Sequence, residues 1–208
     1  MFTVPTLVRM DDLGQLATAL AALAPSCGPV RLIAVDGHAG SGKTTFAARL
    51  ARACGEGTPV LHLDDLATHD ELFAWTDRMR REVIDPLSAG RTALFHPYDW
   101  NLRRFLDPVP LPAAPVVLVE GVGAGRRALR PQLAAVLWME RAAASSWDRG
   151  RARDGDGLAD FWDGWTAAET RHFSADPSRP HADLLVRECC EGYEWRPGPA
   201  GRHENARA

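Results

Sequence analysis

Among the 24 lysines and arginines of this chain there is a single lysine, Lys43, and it lies in Gly37-His38-Ala39-Gly40-Ser41-Gly42-Lys43-Thr44. A glycine, four residues, then Gly-Lys followed by Ser or Thr is the spacing of a phosphate-binding loop. Glycines let backbone approach phosphate oxygens closely, and successive N–H groups at the positive end of a helix dipole form a concave anion nest. The expected nucleotide contacts are Gly37, Ala39, Gly40, Ser41, Gly42, Lys43, Thr44 and Thr45. Lys43 adds a full charge as a slim point cation, where a fork-shaped arginine would be too bulky. Thr44 carries a hydroxyl where Mg2+ would bind, which makes a nucleotide with Mg2+ the expected occupant.

Such a loop needs carboxylates and further cations brought in by other parts of the chain. Asp64 and Asp65 end one short apolar run and Glu120 ends another. Glu120 is expected near the metal. Asp64 is expected as the base that takes a hydroxyl proton and as a metal neighbour, with Asp65 as its substitute or a substrate contact, because a one-residue shift turns a strand side chain to the other face. The arginines at 149, 151 and 153 crowd positive charge, which is favourable around an anion. Arg149 and Arg153 therefore join Lys43 and Asp64 in the expected catalytic set, as a lid over the transferring phosphate.

The elements that must carry these residues follow from hydrophobic periodicity. Asp11 or Asp12 can cap a helix bearing Leu13, Leu16, Leu20 and Leu23. Apolar strands are expected over residues 32–35, 60–63, 115–119, 133–139 and 182–186, separated by helical stretches. Residues 70–89 are expected to be mostly helical, with Pro86 bending or ending the helix. Residues 92–100 are expected as a strand, followed by a proline-rich excursion over the site. Strands alternating with helices imply an α/β domain with a parallel sheet covered on both faces, ligands collecting at the strand carboxyl ends. One domain over residues 1–196, opening with a packing helix, and a disordered tail over 197–208 complete this expectation.

A net charge of −3 over 208 residues argues against a polyanion-binding surface, so nucleic acid is not an expected partner. No apolar run is long enough to span a bilayer, and no membrane partner is expected. Cys27, Cys54, Cys189 and Cys190 show no metal-clamp or disulfide spacing, which fits a reducing, cytoplasmic compartment. A homo-oligomer is left open.

Taken in order, GHAGSGKTT, LHLDDL, YDW, VVLVEGVGAG, DRGRARDG and HADLLV resemble the uridine kinase branch of the P-loop kinases, related to pantothenate kinase and phosphoribulokinase. The resemblance runs from Val30 to about Arg187. It implies a three-layer P-loop NTPase fold with a five-stranded, mainly parallel sheet in the order 2-3-1-4-5. The implied activity is transfer of the γ-phosphate of ATP to a small-molecule hydroxyl, uridine or cytidine in uridine kinases. By motif, Asp64 resembles the catalytic base, Thr44 and Glu120 the magnesium environment, Arg149 and Arg153 the lid, and Tyr98 and Trp100 the aromatic positions around the base. The departures fall in the acceptor half. Arg103 stands where the family has a base-contacting histidine, Asp64-Asp65-Leu66-Ala67 lacks the family's Phe and Tyr, and the ribose-holding aspartates have only His69-Asp70 as a shortened counterpart. A nucleotide-binding switch or ATPase is the competing reading. No NKxD guanine motif, DxxG or ABC-type signature favours it.

Overall fold

The computed structural model describes residues 12–204. The first half of the chain runs α1 (Leu13–Ala21), β1 (Arg31–Asp36), α2 (Lys43–Cys54), β2 (Val60–His62), α3 (Thr76–Met79) and α4 (Asp85–Ser88). Four short strands follow, β3 (Ala93–Phe95), β4 (Tyr98–Asp99), β5 (Arg104–Phe105) and β6 (Val109–Leu111). The remainder is β7 (Val116–Glu120), β8 (Ala135–Met139), α5 (Ala143–Asp154), α6 (Ala159–Ala175), β9 (Leu184–Cys189), β10 (Gly192–Pro197) and α7 (Pro199–Glu204).

The main sheet has the order β10-β9-β8-β1-β7-β2, with β2, β7, β1, β8 and β9 parallel. Those five are the predicted order 2-3-1-4-5, and β10 adds an antiparallel sixth strand at the edge. The inner strands are apolar on both faces because both faces are covered. Leu32 and Ala34 pack with Trp75, Met79 and Leu87, whereas Ile33 and Val35 pack with Leu16 and Leu20 of α1 and Phe46 and Leu50 of α2. Full burial of a side chain such as Phe46 or Leu20 stabilises by about 1.5–3 kcal/mol, so the two layers flanking β1 fix where its carboxyl end points.

Several sequence expectations are corrected. Asp12 caps α1, its side chain accepting from the Gln15 N–H at 3.3 Å, while Asp11 lies outside the described residues. The helix expected from residue 70 starts only at Thr76. Residues 68 and 71 close a turn on each other, and Arg126 donates to the Phe73 carbonyl at 2.8 Å, occupying an acceptor a helix would use. Between α3 and α4 the backbone widens to a π turn over Arg80–Ile84. Pro86 has no N–H to give the preceding turn, and the extra residue accommodates the missing bond. The strand expected over 92–100 is broken at Pro97. The excursion is a nested pair of antiparallel ladders, β3 with β6 and β4 with β5. The tail expected to be disordered from 197 instead continues through β10 into α7, with the Gly198 N–H donating to the Asp183 carbonyl at 2.7 Å. Residues 205–208 lie outside the described residues.

One buried acid locks the two central strand ends together. Asp36, fully buried at the end of β1, accepts from the N–H of Gly37 at 2.7 Å, Gly123 at 2.9 Å and Gly125 at 2.9 Å. The turn leaving β7 is thereby pinned beneath the loop leaving β1. Asp36→Asn puts an NH2 group against the Gly125 N–H, and this should lower the unfolding free energy by about 2–3 kcal/mol. Urea denaturation checks the magnitude, and hydrogen exchange should be accelerated at the Gly123 and Gly125 amides.

Candidate active site

Residues 37–44 form a tight loop between β1 and α2, shaped by two left-handed glycines. Gly40 has φ 80°, and a Cβ there would sit 2.0 Å from the Ser146 carbonyl oxygen of α5. Gly42 has φ 97° and opens α2. The Lys43 side chain is buried beneath the loop and its Nζ donates to the His38 carbonyl at 2.9 Å. Ser41 is buried, with no partner for its hydroxyl among the described residues. Gly37 is buried at the loop's start, and Thr44 and Thr45 are exposed in the first turn of α2.

Thr44 Oγ1 donates to Glu120 Oε1 at 3.0 Å, a contact possible because β1 and β7 pair in parallel with Val35 opposite Glu120. His62 at the end of β2 brings Nδ1 to the same oxygen at 2.6 Å, and that hydrogen bond to Glu120 raises the histidine's pKa. Among the described residues no three acids, histidines or cysteines converge as a metal centre. A hydroxyl and a carboxylate side by side instead fit Mg2+, which keeps several waters and takes one or two protein oxygens beside phosphate. The donors therefore suit the expected cofactors: Thr44 and Glu120 for the metal, the unpartnered Ser41 hydroxyl and Lys43 for phosphate.

Asp64 and Asp65 lie in a 3-10 turn, Leu63–Asp65, directly after β2. Asp64 opens onto a cavity of about 320 Å³ that it shares with Ala39 of the loop, Arg153 and Asp154 of α5, and His69. The far walls are Trp100, Leu158, Phe161, Trp162 and Trp165. Surrounding protein pushes the Asp64 carboxyl above the ordinary range, the Glu120 charge adds to this, and Lys43 opposes it. Its face toward the cavity is solvent-exposed, so water tempers that push. Asp65 is half-buried, its carboxyl also raised by burial, and it does not line the cavity. Trp100 Nε1 donates to the Asp64 carbonyl at 3.1 Å, which draws the excursion over the site. Tyr98 stands behind His69, its hydroxyl 3.0 Å from Nδ1. Arg103 is exposed in the turn between β4 and β5 at φ 51°, away from the cavity lining.

The arginines do not form one cluster. Arg149 and Arg153, one helical turn apart on α5, serve different sides of the loop. Arg153 faces the cavity and makes a bidentate pair with Asp154 at 2.6 and 2.9 Å. Arg149 pairs with Glu188 at 2.6 Å, its Nη1 lying 3.7 Å from where a Gly42 Cβ would be. Arg141 shares that glutamate oxygen at 3.0 Å, and this corner borders a second cleft of about 270 Å³ beside Ser41. Arg151 points elsewhere, to Asp163 at 2.9 Å.

Sequence reasoning assigned no role to Asp36, His62, Asp154 or Glu169, and named His69 only with Asp70 as a shortened counterpart of the family's ribose-holding segment. Asp36 had a readable signal, an acid closing an apolar strand immediately before the loop. Glu169 had a weaker one, standing four residues after Trp165 on an otherwise aromatic helix face. It is fully buried on α6, and four N–H groups converge on it.

The fold is an α/β fold of the P-loop NTPase type. It matches a structure described as a possible uridine kinase from Bacillus stearothermophilus with a TM-score of 0.60 and 18% identity, over 84% of this chain and 97% of that one. It also matches a structure described as a putative fructose transport system kinase from Silicibacter sp. TM1040, with a TM-score of 0.56 and 20% identity, over 80% of this chain and 96% of that one. No family model and no curated protein matches the chain.

The raised Asp64 pKa has a consequence for stability. A carboxylate that the fold raises is destabilising once ionised, so the cost is absent below the unfolded pKa and fully present above the folded one. Asp64→Asn should therefore raise Tm at pH 8 and change it little at pH 3. Thermal melts at the two pH values check the sign.

Proposed function

We propose that this protein is an ATP- and Mg2+-dependent kinase that moves the γ-phosphate to a hydroxyl of a small molecule, with a nucleoside, uridine or cytidine, as the favoured acceptor. The observation that carries this reading is the pairing of Asp64 and Arg153 in one cavity beside the phosphate loop, with the second cleft on the loop's other flank. Two clefts flanking one phosphate loop suit a donor nucleotide and a separate acceptor.

In this reading the loop amides and Lys43 cradle the phosphates, and Thr44, Glu120 and Asp64 form the metal's surroundings. Bound Mg2+ supplies neutralisation of charge on the phosphate oxygens. Asp64 orients the acceptor hydroxyl and takes its proton, and its raised pKa makes it a better base than an ordinary carboxylate. Arg149 and Arg153 meet the phosphate charge from α5, each exchanging a carboxylate partner for phosphate oxygen. The cavity's aromatic walls exclude bulk water, which favours transfer to a bound alcohol over hydrolysis.

The same walls argue for an acceptor with a flat, partly apolar body. Trp100, Phe161, Trp162 and Trp165 offer ring faces and edges to a base, while His69 and Asn101 add polar side chains to the wall. A polyhydroxylated sugar would leave most of its hydroxyls against indole and phenyl carbon. His69, ringed by Tyr98 and Trp100, takes the base-contact role left open by Arg103. The four free cysteines accord with a cytoplasmic location, and among the described residues no helix is long and apolar enough to cross a membrane.

ADP release measured with uridine, cytidine, other nucleosides, pantothenate and sugars tests the reading, with Lys43→Ala as the blank. Uridine or cytidine should raise turnover well above the ATP-only rate. A sugar as best acceptor would overturn the nucleoside assignment, and no acceptor at all would overturn the kinase. Asp64→Asn should lower kcat by roughly 100-fold or more while ATP affinity holds.

A further inference from the structure

Glu169 is a carboxylate with four hydrogen-bond donors on its two oxygens. Its side chain is fully buried on α6, and both oxygens are doubly occupied. Oε1 takes His38 Nδ1 at 2.7 Å and Trp147 Nε1 at 3.0 Å. Oε2 takes the Ala39 N–H at 3.1 Å and Trp165 Nε1 at 2.9 Å. The four donors come from three places: the phosphate loop, the arginine-bearing helix α5, and α6 itself.

A core acid that served packing alone would not need this arrangement. Burial works against a charge here, and replacement of such a group by an apolar one is commonly neutral or better. Two of the donors belong to consecutive residues of the phosphate loop, one of them a backbone amide. The His38 carbonyl, between those two anchored points, is the acceptor for Lys43 Nζ. The loop segment that positions the sole lysine is thus fastened from behind by Glu169. Trp147 lies two residues before Arg149 on α5, so the same carboxylate holds the helix that carries the arginines. Burial alone would raise the Glu169 carboxyl, but the donors from His38, the Ala39 N–H and Trp165 outweigh it and hold it below the usual range, so it is ionised at neutral pH.

We propose that Glu169 is a positioning residue for phosphate binding: its carboxylate sets the geometry of residues 38–39, and through them of Lys43, and keeps α5 in register with the loop. The proposal rests on the reading of residues 37–44 as a nucleotide-phosphate site. It assigns Glu169 no contact with substrate, since the side chain is closed off from the acceptor cavity.

The test is titration calorimetry of MgADP on the intact chain, with melting temperatures in parallel and steady-state kinetics on the best acceptor. Glu169→Gln keeps the size but turns an NH2 group toward two of the donors. It should raise the Kd for MgADP by about tenfold or more and raise the KM for ATP, leaving the acceptor KM unchanged. His38→Phe keeps the ring that packs edge-on against Trp138, Trp147 and Phe173 while deleting the donor, and should weaken MgADP by about threefold. If Glu169→Gln does not fold, His38→Phe decides alone. A lower Tm with unchanged MgADP affinity in the variants that fold would make Glu169 merely structural and overturn the proposal. Equal rises in both KM values would also overturn it, because the disturbance would then not be local to the loop. Wild-type protein that binds no MgADP would instead overturn the kinase reading itself, and the proposal with it.

Discussion

A phosphate loop works only while its backbone amides stay aimed at one point and nothing else claims them. In this protein that constraint is met by buried negative charge set behind the loop. Asp36 takes three backbone N–H groups from Gly37, Gly123 and Gly125, and Glu169 takes four donors that include the Ala39 N–H. Anions beneath an anion site would be self-defeating if their charge were free. Both are held by N–H donors at 2.7–3.1 Å, which stabilise the buried charge and fix the scaffold around it. The glycines then admit close approach from the other side: Gly40 fits under the Ser146 carbonyl only because it has no side chain.

Sheet order follows from the same requirement. Parallel pairing of β1 with β7 puts Glu120 opposite Val35, one residue short of the loop, and β7 with β2 puts His62 opposite Glu120. Thr44, Glu120 and the His62–Asp64 segment are therefore gathered from three separate stretches by strand register. No local sequence preference could do this. The acids that share this corner have a cost: Glu120 and surrounding protein together raise Asp64, so the fold holds a carboxylate where it is least comfortable ionised. A raised carboxyl beside a cavity is the kind of group the proposed base would be.

Legibility in the sequence tracked how local the cause was. The loop, the apolar strands and the acids at their ends could be read because each depends on a few consecutive residues; alternation of strand and helix implied a parallel sheet, and its order came from the family resemblance. What could not be read depended on partners distant in sequence. The helix start at Thr76 was set by Arg126 reaching the Phe73 carbonyl, 53 residues away. Glu169 looked like one more member of an aromatic stripe, because its four donors lie up to 131 residues off. The arginines at 149, 151 and 153 looked like one cluster in the sequence, yet helical geometry sends Arg151 away from the other two. At the carboxyl end, low apolar content suggested disorder. Beyond Pro197 the Gly198 and Ala200 N–H groups instead donate to the Asp183 and Ala182 carbonyls and lead the chain into α7.

Arg149 and Arg153 show how a positively charged helix can sit beside a phosphate loop without repelling itself. Each is matched to one carboxylate, Glu188 or Asp154, and these lie on different flanks of the loop. The pairs are partly exposed, so solvent makes each worth little, in the range where ion pairs exchange partners readily. Under the proposed function, a phosphate oxygen near Gly42 would meet an arginine already within reach and bound to a replaceable partner. The buried anchors show the opposite balance, with saturated hydrogen bonds that cannot be exchanged without unfolding the loop. Rigid support behind and exchangeable charge in front are separate demands, and α5 meets both by turning Trp147 toward Glu169 and Arg149 toward Glu188.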